Sequence, residues 1–356
     1  MTMEPIVFAI NPGSTSTKAA LFKGGRCVFE KTVRHGAGEL DSNATYESSL
    51  EYRLGLIRTA GAEAGIDFSE VDAFAGRGGL LKPMRGGTYI VGERMLEDLA
   101  NARYGEHASN FGAAMAYRLA RQYGKPAYIV DPPTVDELME EARISGLPSI
   151  LRRTVFHALN QKASALHASK DAGIDYYRSN LIVAHMGGGI TVGAHSNGRV
   201  IDVNNGLEEG PFTPERAGSL PTGQLVELCF SGDYTREEIK KLLVGRGGLM
   251  AYTGTTDVRE LVEKSERDGA VRTVLDAMIY GISREICACA AALCGKVDRV
   301  VITGGLAHSD YIVRGILGRI GFLGPVSVLP GEDEMAALAE GASRVLEGRE
   351  EAFVYE

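Results

Sequence analysis

One pattern occurs twice in the 356 residues and restricts the architectures open to the chain. An apolar strand, Ile6 to Ile10, meets the polar turn Asn11-Pro12-Gly13-Ser14. A second strand, Thr17 to Phe22, meets Gly24-Gly25, and a third runs from Cys27 to Val33. Half a chain later the same order returns. Leu181 to His185 ends in Met186-Gly187-Gly188-Gly189, Ile190 to Ala194 leads to the hairpin turn Asn197-Gly198, and Val200 to Val203 follows. Gly13 and Gly188 stand 175 positions apart. Helical stripes accompany both copies: Tyr46, Leu50, Leu54 and Ile57; Phe111, Met115 and Leu119 before Gly124; and the long stripe from Val271 to Leu293 before Gly295. Further strands are expected at Ala127 to Val130 and at Arg299 to Thr303, the latter ending in Gly304-Gly305. A duplicated meander followed by strand–helix units predicts two similar α/β domains facing each other across a cleft. We place them at 1–150 with 335–356, and at 151–334, with the boundary before or along a helix starting around Arg152.

Composition excludes several classes. The 45 glycines are nearly double the usual share of about 7%, which points to tight turns and close backbone approaches. Net charge is −8 with scattered Lys and Arg, so no basic patch for nucleic acid is expected. The longest apolar run, around Ile286 to Leu293, is far short of the roughly 20 residues of a membrane span. No secretory leader is read near Glu4 and Pro5. The five cysteines form no CxxC pair, and Cys287, Cys289 and Cys294 fall on one apolar helix, as buried free thiols would. A reducing, cytoplasmic setting follows as the expectation, with neither membrane nor nucleic acid as partner.

Several residues are candidates for chemistry. The three glycine turns, at 11–16, 186–189 and 303–305, follow apolar strands and can offer backbone N–H groups to phosphate oxygens. Residues 11–18, NPGSTSTK, fail as a Walker A loop: the second glycine is missing, Ala19 follows Lys18, and the next segment is a strand. Lys18, Ser14 and Ser16 remain candidates for phosphate contact in a strand–turn–strand setting. Arg77 has glycine neighbours that would free its side chain, and Arg216 sits in a loop with three prolines. Each arginine read alone fits a surface ion pair equally well. Asp131, at a strand's carboxyl end, is aimed where open α/β sheets bind ligands. Glu332, Asp333 and Glu334 open a helix, where acids are favoured for helix reasons alone. The seven histidines show no zinc-ligand spacing, and His157 and His107 each read alone as satisfied interior residues.

Taken together, NPGSTSTK, AGRGGLL, GEHASNFG, VDPPTVDE, FHALNQKA, AHMGGGI, DVNNGLEEGPFTPERAGSLP and ITGGLAHS resemble the acetate/butyrate kinase (acetokinase) family of the actin–Hsp70–sugar-kinase superfamily. Pro12, the triple glycine and the short length look like its butyrate branch. The resemblance implies duplicated ribonuclease H-like (actin-like ATPase) domains with a central cleft, the acid on the N-terminal side and the nucleotide on the C-terminal side. It implies that Asn11, Ser14, Ser16 and Lys18 face phosphates, that Arg77 and His107 receive the acid, and that Arg216, His157 and Asp131 act in catalysis with Arg77. It further implies that Asp131 and Glu334 serve Mg2+, with Glu332 as the alternative to Glu334. Gly187, Gly188, Gly189, Gly304, Gly305, Asp257 and Arg259 would face ATP or ADP. Where acetate members carry an Asn-Gly pair this chain has glycines, so any side-chain contact there is lost. Relatives imply a homodimer or larger homo-oligomer.

The expected reaction is phosphoryl transfer from ATP to a short-chain carboxylate, butyrate first, with branched acids, acetate or propionate as alternatives. A nucleotide-switched binding module would share the turns but would not need arginines beside a small pocket. A sugar or glycerol kinase would use Asp131 as a base. Chain length is not legible, since a pocket gains only about 0.8 kcal/mol per buried methylene.

Overall fold

The computed structural model describes residues 4–35 and 45–356. Contacts divide the chain into two compact units, Met1–Val135 with Asp333–Glu356, and Asp136–Glu332. The first contains β1 (Ile6–Pro12), β2 (Ser16–Lys23), β3 (Arg26–Arg34), α1 (Tyr46–Glu63), β4 (Ala73–Arg77), β5 (Thr88–Ile90), α2 (Glu93–Ala100), α3 (Asn110–Gln122) and β6 (Ala127–Val130). The second begins with α4 (Glu140–Arg143), α5 (Ala158–Ala172), β7 (Asn180–Met186), β8 (Ile190–Ser196) and β9 (Arg199–Val203). It continues with α6 (Thr222–Phe230), α7 (Arg236–Leu243), α8 (Gly248–Thr253), α9 (Val258–Ser265) and α10 (Gly269–Ala292). Its last elements are β10 (Arg299–Gly304), α11 (Asp310–Ile320) and β11 (Val326–Pro330). The chain then returns to the first unit as α12 (Glu334–Leu346) and β12 (Phe353–Val354).

Five strands of each unit repeat in the same order, and β5 and β12 are additions to the first. In the first unit the sheet order is β12-β5-β6-β4-β1-β2-β3, and in the second it is β11-β10-β7-β8-β9. β1, β2 and β3 pair antiparallel, as do β7, β8 and β9; β4 then adds parallel to β1, and β10 parallel to β7. The central strands β1 and β7 are apolar on both faces because both are covered. The stripe Val271, Leu275, Met278, Ile282 and Ile286 of α10 is buried in the core of the second unit, and Leu50, Leu54 and Ile57 of α1 are buried in the core of the first. A β-carbon at Gly76 would collide with the Gly112 main chain, and one at Gly112 with the Arg77 main chain, so glycines permit α3 to close on β4.

Three details differ from the sequence reading. The division falls at 135 and not at 150, because residues 136–150 are tied to the second sheet. Met139 donates its N–H to Ile201 O, and Glu137 accepts the Val200 N–H while pairing with buried Lys162. The helix expected around Arg152 begins at Ala158. Arg152 is instead spent on Asp202, Glu209 and the carbonyls of Ala142 and Val203, which holds its segment against β9. Of the three thiols expected to be buried, only Cys289 is. Cys287 is half-buried, and Cys294 is exposed beyond the helix end. No helix among the described residues is long and apolar enough to cross a membrane.

Candidate active site

In the first unit, parallel pairing brings Ile10 level with Gly76 and Arg77 level with Val130. Asn11, Arg77 and Asp131 therefore stand together at the carboxyl ends of β1, β4 and β6, the edge where open α/β sheets hold ligands. Glu334, the first residue of α12, lies against them. Its Oε2 accepts from Asn11 Nδ2 at 2.6 Å and forms an ion pair with Arg77. Arg77 is thus held by a carboxylate rather than left free by its glycine neighbours. The neighbouring acids have other tasks: Asp333 caps α12 by accepting the Ala336 N–H, and Glu332 lies in the second unit.

Asp131 is buried and adopts φ +38°, a left-handed conformation unusual for a residue with a side chain. Its Oδ1 accepts the Gly87 N–H at 2.7 Å, and its own N–H donates to Gly87 O. Lys18 is the register partner of Asn11, and its ammonium is 3.5 Å from Glu30 in a half-exposed pair, worth at most about 1 kcal/mol. Ser14 is exposed in the turn, and Ser16 O accepts the Gly13 N–H at 2.7 Å. His107 is on an exposed turn, its Nδ1 accepting the Ser109 N–H and lying 2.8 Å from the Ser109 hydroxyl.

In the second unit the glycine turn after β7 is bracketed by charge. A β-carbon at Gly189 would stand 2.7 Å from Cζ of Arg216, so the guanidinium packs against the turn. Arg216 Nη1 donates to Gly206 O at 2.9 Å, while its buried Nε has no partner. Burial pulls the Arg216 pKa below its ordinary value, against the opposing pull of Glu215. At the other side of the turn, a β-carbon at Gly187 would meet Glu332 Oε1 at 3.2 Å and His185 Nε2 at 3.5 Å. His185 is buried, its Nε2 3.2 Å from Glu332 Oε1 and its Nδ1 2.7 Å from Asn160 Oδ1. The His157 ring stacks on His185 with centroids 3.9 Å apart.

A cavity of about 590 Å3 adjoins this turn, within the range of small-ligand sites. Gly187, Gly188, Asp257, Arg259, Gly305 and His308 are among its walls. The structure thus brings Gly187, Gly188, Gly305, Asp257 and Arg259 together. It gives Gly189 and Gly304 different work: Gly189 seats Arg216, and Gly304, at φ +91°, sits where a β-carbon would collide with the Met186 main chain. The Gly13 and Gly187 N–H groups donate to Ser16 O and Gly189 O inside their turns, and the Gly304 N–H donates across to Gly331 O beyond β11, so all three are occupied. The Asp257 carboxylate caps α9 through the Arg259 and Glu260 N–H groups.

Sequence reasoning missed His185 and offered Glu332 only as the alternative to Glu334. The available signal was a histidine in an otherwise apolar strand, next to the glycine turn. Among the described residues no group of three His, Cys, Asp or Glu side chains forms a metal cluster.

Two sheets of matching topology, each with a glycine turn after its first strand, define an actin-like ATPase fold. Across 96% of this chain and 100% of its own, the crystal structure of Porphyromonas gingivalis acetate kinase superposes with a TM-score of 0.79 at 19% identity. A propionate kinase from Francisella tularensis superposes with a TM-score of 0.73 at 17% identity, covering 95% of this chain and 98% of its own. In sequence, Butyrate kinase 2 of Clostridium acetobutylicum is 47% identical over 98% of this chain and 99% of its own. The profile of the acetokinase family matches residues 148–343. The chain belongs to the acetokinase family.

Proposed function

We propose that the acid phosphorylated by this ATP-dependent carboxylate kinase is butyrate or a close short-chain neighbour. Butanoate and ATP would give butanoyl phosphate and ADP, reversibly and by direct in-line transfer. The full-length likeness to a butyrate kinase supports the choice of acid. One observation carries the chemistry: among the described residues, the half-buried Arg216 guanidinium has a buried Nε without a partner and a single hydrogen bond, to the Gly206 carbonyl. A guanidinium has five N–H donors and keeps its charge, so most of its capacity waits for an anion.

A carboxylate is already ionised near pH 7, so no base is needed. Phosphoryl transfer is then mostly positioning and charge neutralisation. Arg216 and His157 are read as partners of the transferring oxygens, Arg77 and His107 as receivers of the acid. The cavity walled by Gly187, Gly188, Asp257, Arg259 and Gly305 is read as the nucleotide site, and Asn11, Ser14, Ser16 and Lys18 as phosphate-facing groups. Mg2+ commonly uses one or two carboxylates beside substrate phosphates, and Asp131 and Glu334 fit that modest requirement, since both bonds of Glu334 use Oε2. When bound, the ion supplies neutralisation of phosphate charge. The reading extends to a cytoplasmic homodimer or larger homo-oligomer, as the family resemblance suggests.

The test is a kcat/KM series over straight and branched acids of two to five carbons, trapping the acyl phosphate as a hydroxamate. A maximum at four carbons is expected. A maximum at two or three carbons, or phosphorylation of glycerol or glucose in preference to any acid, would overturn the assignment.

A further inference from the structure

A line of buried polar side chains ends on His157, and the amide and carbonyl within it favour one arrangement of protons. Thr191, Gly193 and His195 alternate along one face of β8, where Gln161 of α5 meets them. Gln161, Thr191 and His195 are each fully buried, where an unmade hydrogen bond is expensive.

Gln161 Nε2 lies 3.0 Å from the Thr191 carbonyl oxygen, which only accepts, so the NH2 end of the amide faces it. The second hydrogen of that nitrogen goes to Thr191 Oγ1 at 2.8 Å. Gln161 Oε1 therefore faces His195 Nε2, at 3.1 Å, and that nitrogen carries the His195 proton. The Tyr176 hydroxyl lies 2.9 Å from the remaining His195 Nδ1 and 3.3 Å from Gly198 O, and with Nε2 carrying the ring proton it donates to the nearer nitrogen. Burial and nearby Lys162 push the His195 pKa down to about 3, so the ring is neutral. Thr191 Oγ1 accepts from Gln161 and, at 3.5 Å, from the His157 N–H. Its own hydrogen goes to His157 Nδ1, 3.0 Å away.

We propose that Gln161 and Thr191 are positioning residues that hold His157 with a bare Nδ1 and its proton on Nε2, so that the imidazole meets the phosphoryl group as a hydrogen-bond donor and not as a base. This rests on the reading of His157 as a phosphoryl-facing group. Two further features serve the same arrangement. A β-carbon at Gly193 would stand 2.6 Å from Gln161 Oε1 and 3.4 Å from His195 Nε2, so glycine leaves the space the amide occupies. Stacking on His185 fixes the plane of the His157 ring, while Thr191 fixes its edge. A donor is also what the chemistry asks for, because the acceptor acid arrives ionised and charge spreads over the phosphoryl oxygens.

The experiment uses the whole enzyme labelled with 15N-histidine and long-range 1H–15N NMR, the His157 signals being assigned by their loss in His157→Gln. Expected are an unprotonated Nδ1 and a protonated Nε2. A protonated Nδ1 at His157 overturns the proposal. Thr191→Val, which removes the hydroxyl, is expected to mix the tautomers and lower kcat about 10- to 100-fold, with KM values within about twofold. Thr191→Ser keeps the hydroxyl and should recover most of the turnover and the wild-type tautomer. Equal losses in both variants, or a loss in Thr191→Val with the tautomer intact, reduce Thr191 to a packing residue and sink the idea. Full turnover in His157→Gln would overturn the phosphoryl-facing reading itself. That failure is distinguishable, because the wild-type tautomer would still be as described.

Discussion

Gly189 is the seat of Arg216. A β-carbon at 189 would stand 2.7 Å from the arginine Cζ, and Nη1 is anchored on Gly206 O at 2.9 Å. Neither glycine has φ in the left-handed region; what they supply is bare main chain on which a planar cation can lie. The triple glycine therefore has two jobs, Gly187 and Gly188 walling the cavity and Gly189 setting the height of the guanidinium.

Gly189→Ala tests this seat. The obstructing atoms belong to the end of a flexible side chain, so the fold should survive and the melting temperature should change little. The guanidinium must move, and a misplacement of about 1 Å can lower turnover by about 10²-fold. Steady-state kinetics beside a thermal melt would check both parts.

Arg216→Ala should separate activity from stability. Loss of an arginine acting on a phosphoryl transition state lowers turnover by about 10³- to 10⁵-fold. Removing a desolvated cation whose Nε lacks a partner should leave the melting temperature equal or higher. Turnover within a few-fold of wild type would remove Arg216 from the mechanism.

Arg77 and Glu334 are paired yet should fail differently. Arg77→Ala is expected to raise the KM for the acid at least about tenfold, as loss of a charge-assisted receptor does. Glu334→Gln removes the anion that shares Arg77, so the acid KM should not rise. Its kcat should fall about 10²-fold and its requirement for Mg2+ should increase. Titrations of acid and Mg2+ on both variants distinguish the two patterns.

His195 gives the fold an acid sensitivity. Its ordinary pKa is 6.5, and burial followed by Lys162 takes it to about 3. Below pH 6.5 the unfolded chain takes up a proton that the folded chain refuses until about pH 3, so this contribution is complete above 6.5 and lost as pH falls towards 3. At pH 5 the loss is roughly 2 kcal/mol. Urea unfolding at pH 7 and pH 5 should show a smaller difference in His195→Gln than in wild type.

Much of the site was legible because its residues sit in local patterns. The segments 11–16, 186–189 and 303–305 announce themselves by glycine after an apolar strand; the first two hold turns, at 13–15 and 187–189, while β10 runs through Gly304 straight into a short 3-10 helix. Arg77 and Asp131 were legible as strand-end residues. Glu334 was not separable from Glu332 by spacing, since both precede the same helix. Their partners decide: Asn11 and Arg77 hold Glu334, while His185 faces Glu332. Asp257 walls the cavity, and its carboxylate also caps α9, a use that any aspartate before a helix can have.

The amino-acid order by itself determined the repeated meander, the strand and helix periods, and the family, because each depends on residues close together or on motifs in series. Only the tertiary structure decided which groups share charge and protons. Arg77 meets Glu334 across 257 positions, and Gln161 meets Thr191 across 30. Such pairings arise when strands align in register and helices close over them, and no local pattern encodes them. The direction of the His157 proton is the furthest example: it follows from a backbone carbonyl, an amide and a hydroxyl that become neighbours only when α5 packs on β8.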